Sequence, residues 1–271
     1  MGPSNLFDLV LAIPQWQGSA RSENLHRGGI AAAEVCQDFG PRCDVPIEGA
    51  SVREHGINNW RTLRLHMDAT RRLLAEKRPR RVLTAGGDCA VDVPVIDYLS
   101  GLYPDLTVIW IDAHLDANSP ETSPSGSFHG MPVRMVLGDR PRAVAALLDY
   151  PVAPDRFFYV GARVGDPGDI AFALDHGLRS LPKGHRIDGP VHIHFDLDVL
   201  EPSEFPYLAY AEPGGLGLDQ AIAIVEDLAA PGQVVGLTIT EFAPSDSADA
   251  TAGQAFIRRL CASVVKHRMS A

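Results

Sequence analysis

Short apolar runs alternate with longer stretches of helical periodicity along most of the chain. Each run is bounded by Gly, Pro or Asp, a pattern typical of buried strands. The runs predict six strands, over Leu6–Pro14, Arg81–Thr84, Leu106–Ile111, Arg156–Val160, Val191–Leu197 and Val234–Ile239. Between them, apolar residues recur at the spacing of one helix face. These stretches predict five helices, over Asn24–Asp38, Asn58–Lys77, Val91–Leu99, Leu218–Leu228 and Ala248–His267.

The alternation of strand and helix predicts the fold class. It indicates an α/β protein with a largely parallel central sheet and helices on both faces. No linker, internal repeat or low-complexity tract divides the chain, so we expect residues 1–271 to form one domain, with residues 1–5 as a flexible leader. The long segment Asn118–Pro132, rich in Ser, Pro and Gly, is predicted to be a functional loop.

Composition narrows the classes of function. The 271 residues are 45% hydrophobic and 21% charged, as in ordinary soluble globular proteins. A formal net charge of −10 argues against binding to nucleic acid or to an anionic membrane. The sequence shows neither a secretory signal nor an apolar run long enough to cross a bilayer. The cysteines lack the spacing of a zinc site or disulfide framework, so we expect a reduced, cytoplasmic setting.

Two acidic motifs carry the chemistry. Asp112, His114 and Asp116 alternate at the end of one apolar run, and Asp196 and Asp198 alternate at the end of another. Side chains at positions i, i+2 and i+4 of a strand leave the same face, so each motif aims its polar groups at one point. Both motifs are expected at the carboxyl ends of strands, where ligands of parallel sheets gather.

Four carboxylates gathered this closely would repel one another unless cations lay among them. Oxygen-rich ligation with one imidazole suits Mn²⁺ better than a structural zinc site, which prefers Cys and His. The motifs therefore predict a buried pair of divalent ions that carries out hydrolysis.

Six segments, in the same order along the chain, resemble the arginase or ureohydrolase family: GGDCA (86–90), WIDAHLDAN (110–118), SGSFHGMP (125–132), GARVGDPGD (161–169), HFDLDVLEP (194–202) and ITEFAP (239–244). The resemblance implies a three-layer α/β/α fold and a binuclear manganese centre. It also implies a bridging hydroxide that attacks the guanidine carbon of a small substrate, and assembly into trimers or hexamers.

Five of the six metal ligands that the resemblance implies are intact: Asp112, His114, Asp116, Asp196 and Asp198. The bridging roles fall to Asp112 and Asp196. The sixth position, a His in the family's GGDH motif, is Cys89. This residue can ligate as a thiolate, stand aside as a small apolar side chain, or have a redox role. If Cys89 does not ligate, the neighbouring manganese is expected to bind weakly or to be lost.

Two further residues match catalytic positions of the family. His129, in an SGxxHG context, matches the proton-shuttle histidine, and imidazole titrates near neutral pH as protonation of a leaving amine requires. Glu241 matches the glutamate that binds the guanidinium, for which a carboxylate offers charge-assisted hydrogen bonds. The alternative for His129 is an ordinary hydrogen-bonded loop residue at the surface.

The resemblance also indicates an amino-acid substrate. Asn118 and Ser125 match positions that hold the α-carboxylate of arginine, and Asp166 and Asp169 match two acidic positions near its α-ammonium. The alternative is that these four residues serve only as turn formers, a common use of Asn, Ser and Asp.

Three polar residues near the motifs are predicted to support them. His192 and His194 precede Asp196 on the same strand face, and we expect hydrogen-bonded core positions for them rather than ligand positions. Asp88 is predicted to belong to the turn of GGDC. The sequence assigns no partner to Arg163.

The exchange of His for Cys89 resembles the branch of the family that hydrolyses Nω-hydroxy-L-arginine in D-cycloserine biosynthesis, releasing hydroxyurea and L-ornithine. A softened or vacant metal position has room for the extra oxygen of that substrate. The alternatives are an ordinary arginase that tolerates Cys89 and another ureohydrolase, such as an agmatinase or a guanidino-acid hydrolase. A non-catalytic regulator is a further alternative, although it has no need for so many buried carboxylates.

Overall fold

Eight parallel strands form the central sheet of the computed structural model, which describes residues 6–19, 23–231 and 233–264. In chain order they are β1 (Leu9–Ile13), β2 (Arg42–Asp44), β3 (Val82–Gly86), β4 (Thr107–Ile111), β5 (Phe157–Val160), β6 (Arg179–Ser180), β7 (Val191–Asp196) and β8 (Val234–Thr240). Their order across the sheet is β2-β1-β3-β8-β7-β4-β5-β6, and every neighbouring pair is parallel. The predicted parallel sheet is confirmed.

Helices cover both faces of this sheet. Within the described residues they are α1 (Glu23–Cys36), α2 (Trp60–Lys77), α3 (Val93–Leu102), α4 (Pro132–Val136), α5 (Arg142–Ala145), α6 (Pro167–Asp175), α7 (Leu218–Ala229) and α8 (Ser247–Ser263). The apolar residues of α1, α7 and α8 pack into one core, and those of α2, α3 and α4 pack into a second core on the opposite face. The fold is therefore three-layer α/β/α, as expected. None of the helices in the described ranges has the length and apolarity of a membrane span.

The central strands are apolar on both faces because helices bury both. Every residue of β3, β4 and β8 is buried, which explains why these strands read as continuous apolar runs. Five of the six predicted strands agree with the structure to within two residues at each end. The prediction for β1 was too long. Asp8 lies outside the strand, where its carboxylate accepts the backbone N–H groups of Arg80 and Arg81, and Pro14 has no N–H to donate to a ladder.

Several short elements were not predicted. β2 and β6 are three and two residues long and lie at the two edges of the sheet, where polar residues hide the strand pattern. Helices α4, α5 and α6 are also absent from the predictions. The last predicted helix corresponds to α8, and its final residues, 265–267, lie outside the described residues, as does the predicted leader, 1–5.

The predicted loop is largely confirmed. Residues 118–127 contain neither helix nor strand, a single 3₁₀ turn covers Phe128–Gly130, and Pro132 begins α4. Proline is well suited to that first helical position because its missing N–H would have no partner there. The loop lies beside the carboxyl ends of the central strands, and it contributes one wall of the cavity described below.

Candidate metal centre and active site

The candidate site lies where four neighbouring strands end. Cys89 follows β3 and Glu241 directly follows β8, while Asp112 directly follows β4 and Asp196 is the last residue of β7. These four strands are adjacent at the middle of the sheet, in the order β3-β8-β7-β4. Their carboxyl ends therefore bring together residues that are far apart in the sequence, at the usual ligand-binding edge of a parallel sheet.

One group of donor atoms combines Asp112, His114 and Asp198. One atom from each lies within 4.8 Å of the others. His114 Nδ1 is 3.0 Å from Asp198 Oδ2 and 3.5 Å from Asp112 Oδ1. Backbone amides fix the carboxylates: the N–H of His114 donates to Asp112 Oδ1 at 2.6 Å, and the N–H of Ala113 donates to Asp198 Oδ1 at 3.2 Å.

A second group combines Cys89, Asp112, His194 and Asp196, again with one donor atom from each within 4.8 Å of the others. All four residues are buried. The Cys89 thiol donates to Asp196 Oδ2 at 2.8 Å and lies 3.7 Å from Glu241 Oε1. Because Asp112 belongs to both groups, the two groups form one continuous centre.

Burial and mutual repulsion perturb the ionisation of these groups in the absence of ions. Burial, reinforced by the charge of Asp112, raises the pKa of Asp198 to about 7. The same two causes raise the pKa of Asp116 well above its usual value, and burial beside Asp198 does so for Asp196. Burial together with the charge of Asp196 raises the pKa of the Cys89 thiol. Cations would reverse these shifts because they favour the charged form of each ligand.

The residues present fit a pair of divalent cations. Asp116 Oδ2 and Glu241 Oε2 are buried, and neither has a hydrogen-bond partner among the described residues. Such orphaned carboxylate oxygens are costly unless an ion or substrate pairs with them. Both residues also adopt the left-handed backbone region, with φ of 48° at Asp116 and 60° at Glu241. Strained backbone of this kind is concentrated at functional sites.

Asp116 is the one predicted ligand outside both donor groups. It is 7% exposed and lies on the wall of the adjoining cavity. The structure thus brings five of the six predicted ligands into the two groups and adds His194, which we had not expected among them.

The two predicted catalytic residues are in contact. His129 Nδ1 donates to Glu241 Oε1 at 3.2 Å. Burial opposes the charged imidazole, but this hydrogen bond prevails and raises the pKa of His129. The ring of Tyr210 lies 4.9 Å from the His129 ring, centroid to centroid. A proton donor and a carboxylate therefore stand side by side next to the donor groups.

A cavity of about 220 Å³ opens onto this centre. Its walls combine predicted ligands, predicted substrate-binding residues and His129: Cys89, His114, Asp116, Asn118, Ser123, Ser125, His129, Gly130, Val164, Gly165, Asp166, Asp169, Asp196, Asp198 and Tyr210. A small molecule in this cavity would touch both the acidic centre and the loop of residues 118–132.

Comparison with known proteins decides the family. Residues 20–265 match the family model described as "Arginase family". An arginase of Staphylococcus aureus (strain MRSA252) is 30% identical over 225 residues, which cover 74% of this chain and 73% of the relative. This chain belongs to the arginase family.

Solved structures agree with this assignment. The arginase of Bacillus subtilis strain 168 superposes with a TM-score of 0.82 at 25% identity, covering 95% of this chain and 98% of that one. The proclavaminate amidino hydrolase of Streptomyces clavuligerus gives a TM-score of 0.71 at 19% identity, over 98% and 95% of the two chains. The second likeness shows the fold alone. The chain is thus an arginase-family hydrolase, and a protein with a different name shares its fold.

The predicted substrate-binding residues form a hydrogen-bonded rim in this arginase-family chain. Asn118 Nδ2 donates to Asp166 Oδ2 at 3.1 Å, and Asp169 Oδ1 accepts the backbone N–H of Ala117 at 2.8 Å. Asp166 and Asp169 also form the capping box at the start of α6. Ser125 is exposed, and its hydroxyl accepts the N–H of Ser127 at 3.1 Å. These contacts preorganise the rim, and the roles in substrate binding stay predictions.

Sequence reasoning missed two supporting residues. Asp92, buried in the turn after Cys89, accepts hydrogen bonds at 2.8 Å from His192 Nε2 and His194 Nδ1. Tyr210 lies on a loop without periodicity, so no local pattern marks it. The motif DCAVD does place Asp92 three residues after Cys89, and this spacing is the only signal that points to it.

Arg163 and Asp88 hold the loops of the site. Arg163, to which no partner could be assigned, donates to five backbone carbonyls, including those of Asp198 at 3.2 Å and Glu212 at 2.8 Å. Asp88 belongs to the turn before Cys89, as predicted, and its carboxylate accepts from Ala90 N and Gly18 N at 3.0 and 2.8 Å. Burial raises the pKa of Asp88 to about 7.

Proposed function

We propose that this arginase-family chain is a manganese-dependent amidinohydrolase whose favoured substrate is Nω-hydroxy-L-arginine, cleaved to L-ornithine and hydroxyurea. The observation that carries the substrate assignment is the position of Cys89. Its thiol lines the cavity and lies 3.7 Å from Glu241 Oε1, the carboxylate expected to bind the guanidinium. Cys89, the residue that departs from the family pattern, would therefore lie beside the guanidino group of a substrate bound to Glu241.

The size and chemistry of the thiol support a hydroxylated substrate. A cysteine side chain is smaller than imidazole, so it leaves room beside the reacting carbon for one extra oxygen. N-hydroxyguanidine is also less basic than guanidine, and it depends less on full charge pairing with Glu241. We therefore expect an active site that is specific for N-hydroxyguanidine to function with Cys89 at this position, even if a thiol there binds the metal more weakly than the usual histidine does.

The ligands proposed for manganese are Asp112, His114, Asp116, Asp196, Asp198 and Cys89. Bound manganese would polarise the substrate and lower the pKa of a water molecule. Glu241 Oε2, which has no partner among the described residues, is free to accept from the guanidino N–H groups and orient the carbon. His129, held by Glu241 Oε1, is placed to donate a proton to the departing nitrogen.

We propose that the rim selects an amino acid. Asn118 and Ser125 would bind the α-carboxylate, and Asp166 and Asp169 would face the α-ammonium. Each lines the cavity, and hydrogen bonds from Asn118 to Asp166 and from the Asp166 N–H to Asp169 fix three of the four before substrate arrives. Agmatine lacks an α-carboxylate and would leave the first pair of residues unused.

The deciding experiment compares kcat/KM for Nω-hydroxy-L-arginine and L-arginine on one preparation of matched manganese content, with ornithine as the readout. We expect the hydroxylated substrate to be preferred by at least about tenfold, the equivalent of 1.4 kcal/mol in transition-state binding. Equal turnover of arginine would overturn the proposal. Agmatine is the control for the rim, and it should be a poor substrate.

The ordinary arginase reaction is the second candidate. The specific observation in its favour is the 30% identity with the Staphylococcus aureus protein named as an arginase. Under this reading Cys89 is a tolerated ligand change without effect on specificity. Cys89→His would then leave the ratio of the two kcat/KM values unchanged, whereas our proposal expects it to move the ratio towards arginine.

Cellular location and assembly stay predictions. We propose a cytoplasmic enzyme that forms a homo-oligomer, a trimer or hexamer as the family resemblance implies. Size-exclusion chromatography with light scattering at several protein concentrations would measure the mass of the assembly, and a monomer at all concentrations would contradict it.

A further inference from the structure

The imidazole of His194 faces the same point as the Cys89 thiol. One nitrogen of its ring and one donor atom each from Cys89, Asp112 and Asp196 lie within 4.8 Å of one another. Ligand bonds of about 2.0–2.3 Å allow donors of one ion to be at most about 4.6 Å apart, so this spacing is close to that of a single coordination sphere. His194 is fully buried on β7, two residues before Asp196.

The hydrogen bonds of His194 leave one ring nitrogen for an ion. Its Nδ1 is 2.8 Å from Asp92 Oδ2, and a carboxylate there can only accept, so Nδ1 carries the proton. Nε2 is then unprotonated, with its lone pair directed away from Asp92. A carboxylate–histidine pair of this kind is the usual support of a metal-binding imidazole.

His192 provides an internal contrast. It also bonds to Asp92 at 2.8 Å, but through Nε2. Its other nitrogen, Nδ1, has no hydrogen-bond partner among the described residues, and His192 is absent from both donor groups. The same carboxylate therefore holds two histidines by opposite nitrogens, and of these two only His194 belongs to a donor group of the acidic centre. The Thr240 hydroxyl lies 3.4 Å from His194 Nε2 and 3.5 Å from the Cys89 thiol, so Nε2 is on the side of Cys89.

Two neighbours fix the plane of the His194 ring. The indole of Trp110 stacks on it, with ring centroids 3.5 Å apart and planes 5° from parallel. Trp110 Nε1 also donates to Asp112 Oδ2 at 2.8 Å, so one residue positions both donors. The remaining contact of Nε2 is a long one, 3.4 Å from the hydroxyl of Thr240. A hydroxyl rotates freely and can turn away when an ion binds.

We propose that His194 is a metal ligand of this centre and supplies, from β7, the imidazole nitrogen that the family takes from the position of Cys89. The inference rests on the metal dependence of the proposed function. It is independent of the substrate. Asp92 has the role of a positioning residue, because it selects the tautomer of His194 without reaching the ion.

The test measures Mn²⁺ binding rather than turnover. Calorimetric titration with Mn²⁺ is carried out on four metal-free proteins: wild type, His194→Asn, His194→Gln and His192→Gln. Pulsed EPR then counts the histidine nitrogens that bind the ion in each protein. In His194→Asn, the side-chain amide lies near the place of Nδ1, so the hydrogen bond to Asp92 is kept and the metal-binding nitrogen Nε2 is lost. In His194→Gln, the amide lies near the place of Nε2, so a possible metal ligand is kept and the hydrogen bond to Asp92 is lost. Glutamine at 192 keeps the bond to Asp92 and is the matched control.

We expect His194→Asn to weaken one of two manganese sites by at least tenfold and to remove one histidine nitrogen coupling from the EPR spectrum. His194→Gln should bind more tightly than His194→Asn, and His192→Gln should bind like wild type. Cys89→His in the His194→Asn background should restore the lost site. Far-UV circular dichroism and thermal unfolding establish that each variant is folded.

Three results would overturn the inference. If His194→Asn keeps both sites with wild-type affinity, Nε2 is not a ligand. If binding instead follows the bond to Asp92, so that His194→Gln is weaker than His194→Asn, His194 acts only through Asp92. Wild type that binds no Mn²⁺ at all would overturn this inference together with the metal dependence of the proposed function, so the failures are distinguishable.

Discussion

Cys89 is a buried thiol whose protonation depends on what occupies the centre. Its hydrogen bond to Asp196 Oδ2 needs the proton on sulfur, and burial beside Asp196 raises the pKa of the thiol. A cation between the two side chains would reverse this preference, because metal coordination deprotonates a thiol. Cys89 can therefore be a protonated thiol that donates to Asp196 when no ion is bound, or a thiolate ligand when an ion is bound. The imidazole of His194, which shares a donor group with Cys89 and Asp196, reduces the need for a third nitrogen or sulfur ligand.

His129 is the residue whose loss should affect turnover most selectively. In His129→Asn, the amide stands near the place of Nδ1 and keeps a donor for Glu241, but the variant has no titrating proton to donate. We expect kcat to fall by about 10²–10⁴-fold with little change in KM or Mn²⁺ content. Steady-state kinetics at saturating Mn²⁺ measures this. A fall in Mn²⁺ content as large as the fall in kcat would show that His129 is structural.

Short 3₁₀ turns follow β3 and β7, and each is preceded by an acidic residue whose side chain caps the turn. Asp196 accepts the N–H of Asp198 at 2.7 Å and so caps the turn Leu197–Val199 with the carboxylate that also faces the ion site. Asp88 caps the turn Cys89–Asp92 in the same way. Each turn is thereby set before any ion binds, which reduces the entropy that binding must overcome.

Arg163 should matter at the level of these connecting segments. Its guanidinium joins the end of β5 to the turn after β7 and to residues 212–213 by hydrogen bonds of 2.8–3.4 Å. We expect Arg163→Gln to lower the free energy of unfolding by about 2 kcal/mol, because charged hydrogen bonds to several carbonyls are lost. The corresponding fall in Tm is about 4–8 °C, measured by calorimetry.

Arg64→Gln is the matched control for that substitution. Arg64 lies on the outer face of α2, its side chain is 48% exposed, and its ion pair with Asp68 is 3.7 Å long. Surface pairs of this kind contribute little, so the control should lie within about 0.5 kcal/mol of wild type. If both variants lose the same stability, the carbonyl contacts of Arg163 have no special role.

The sequence predicted the elements with strong periodicity and missed those without it. β4 and β7 are long apolar runs that end in charged motifs, so both their existence and their ligands were visible. β6 has two polar residues and exists only because β5 offers it an edge, which no local pattern records. Helix α6 was missed although Asp166, Pro167 and Asp169 form a helix-start signal, since its nine residues show little amphipathic pattern.

The same limit applies to the candidate site. The metal-binding candidates after β4 and at the end of β7 were found because their alternating motifs follow apolar runs. Only Asp196 lies within a strand, however, and Asp112, His114 and Asp198 lie in the segments beyond the strand ends. The partner of His194 was not found, because Asp92 reaches it across the sheet from the turn after β3. The expectation that both histidines are hydrogen-bonded residues near the centre agrees with their bonds to Asp92, but it could not distinguish their free nitrogens.

Across the whole molecule, a chain of buried polar contacts links the centre to α2. Asp88 accepts from Gln15 Nε2 at 2.9 Å, and Gln15 Oε1 accepts from His66 Nδ1 at 2.8 Å. His66 Nε2 in turn accepts the backbone N–H of Glu48 at 2.8 Å. Since both ring nitrogens are used in this way, the neutral imidazole fits and the charged one does not. Burial accordingly lowers the pKa of His66 to about 4.

His66 should make the protein less stable in mild acid. Between its unfolded value of about 6.5 and the folded value of about 4, the unfolded chain binds a proton that the folded protein excludes, so stability falls as pH falls through this window. The full effect is about 3 kcal/mol. His66→Gln should flatten the dependence of the unfolding free energy on pH between 6.5 and 4.5, measured by urea denaturation. An unchanged slope would show that other groups account for the acid sensitivity.

Manganese removal tests whether the acidic centre controls the stability of the molecule as a whole. The ligands come from β3, β4 and β7, three of the four central strands, so an ion that binds them joins the middle of the sheet. An ion that binds only the folded state stabilises it by about 2.7 kcal/mol at a concentration of 100 Kd. We therefore expect chelation to lower Tm by about 5–10 °C and added Mn²⁺ to restore it.

Asp198→Asn separates this effect from general salt effects. The substitution removes one charged ligand and part of the repulsion in the metal-free centre, because the charge of Asp112 then faces a neutral amide. The metal-free variant should equal or exceed metal-free wild type in Tm, while its gain on adding Mn²⁺ should be smaller. A gain equal to that of wild type would mean that the stabilising ion binds elsewhere, and Mg²⁺ at the same ionic strength controls for screening.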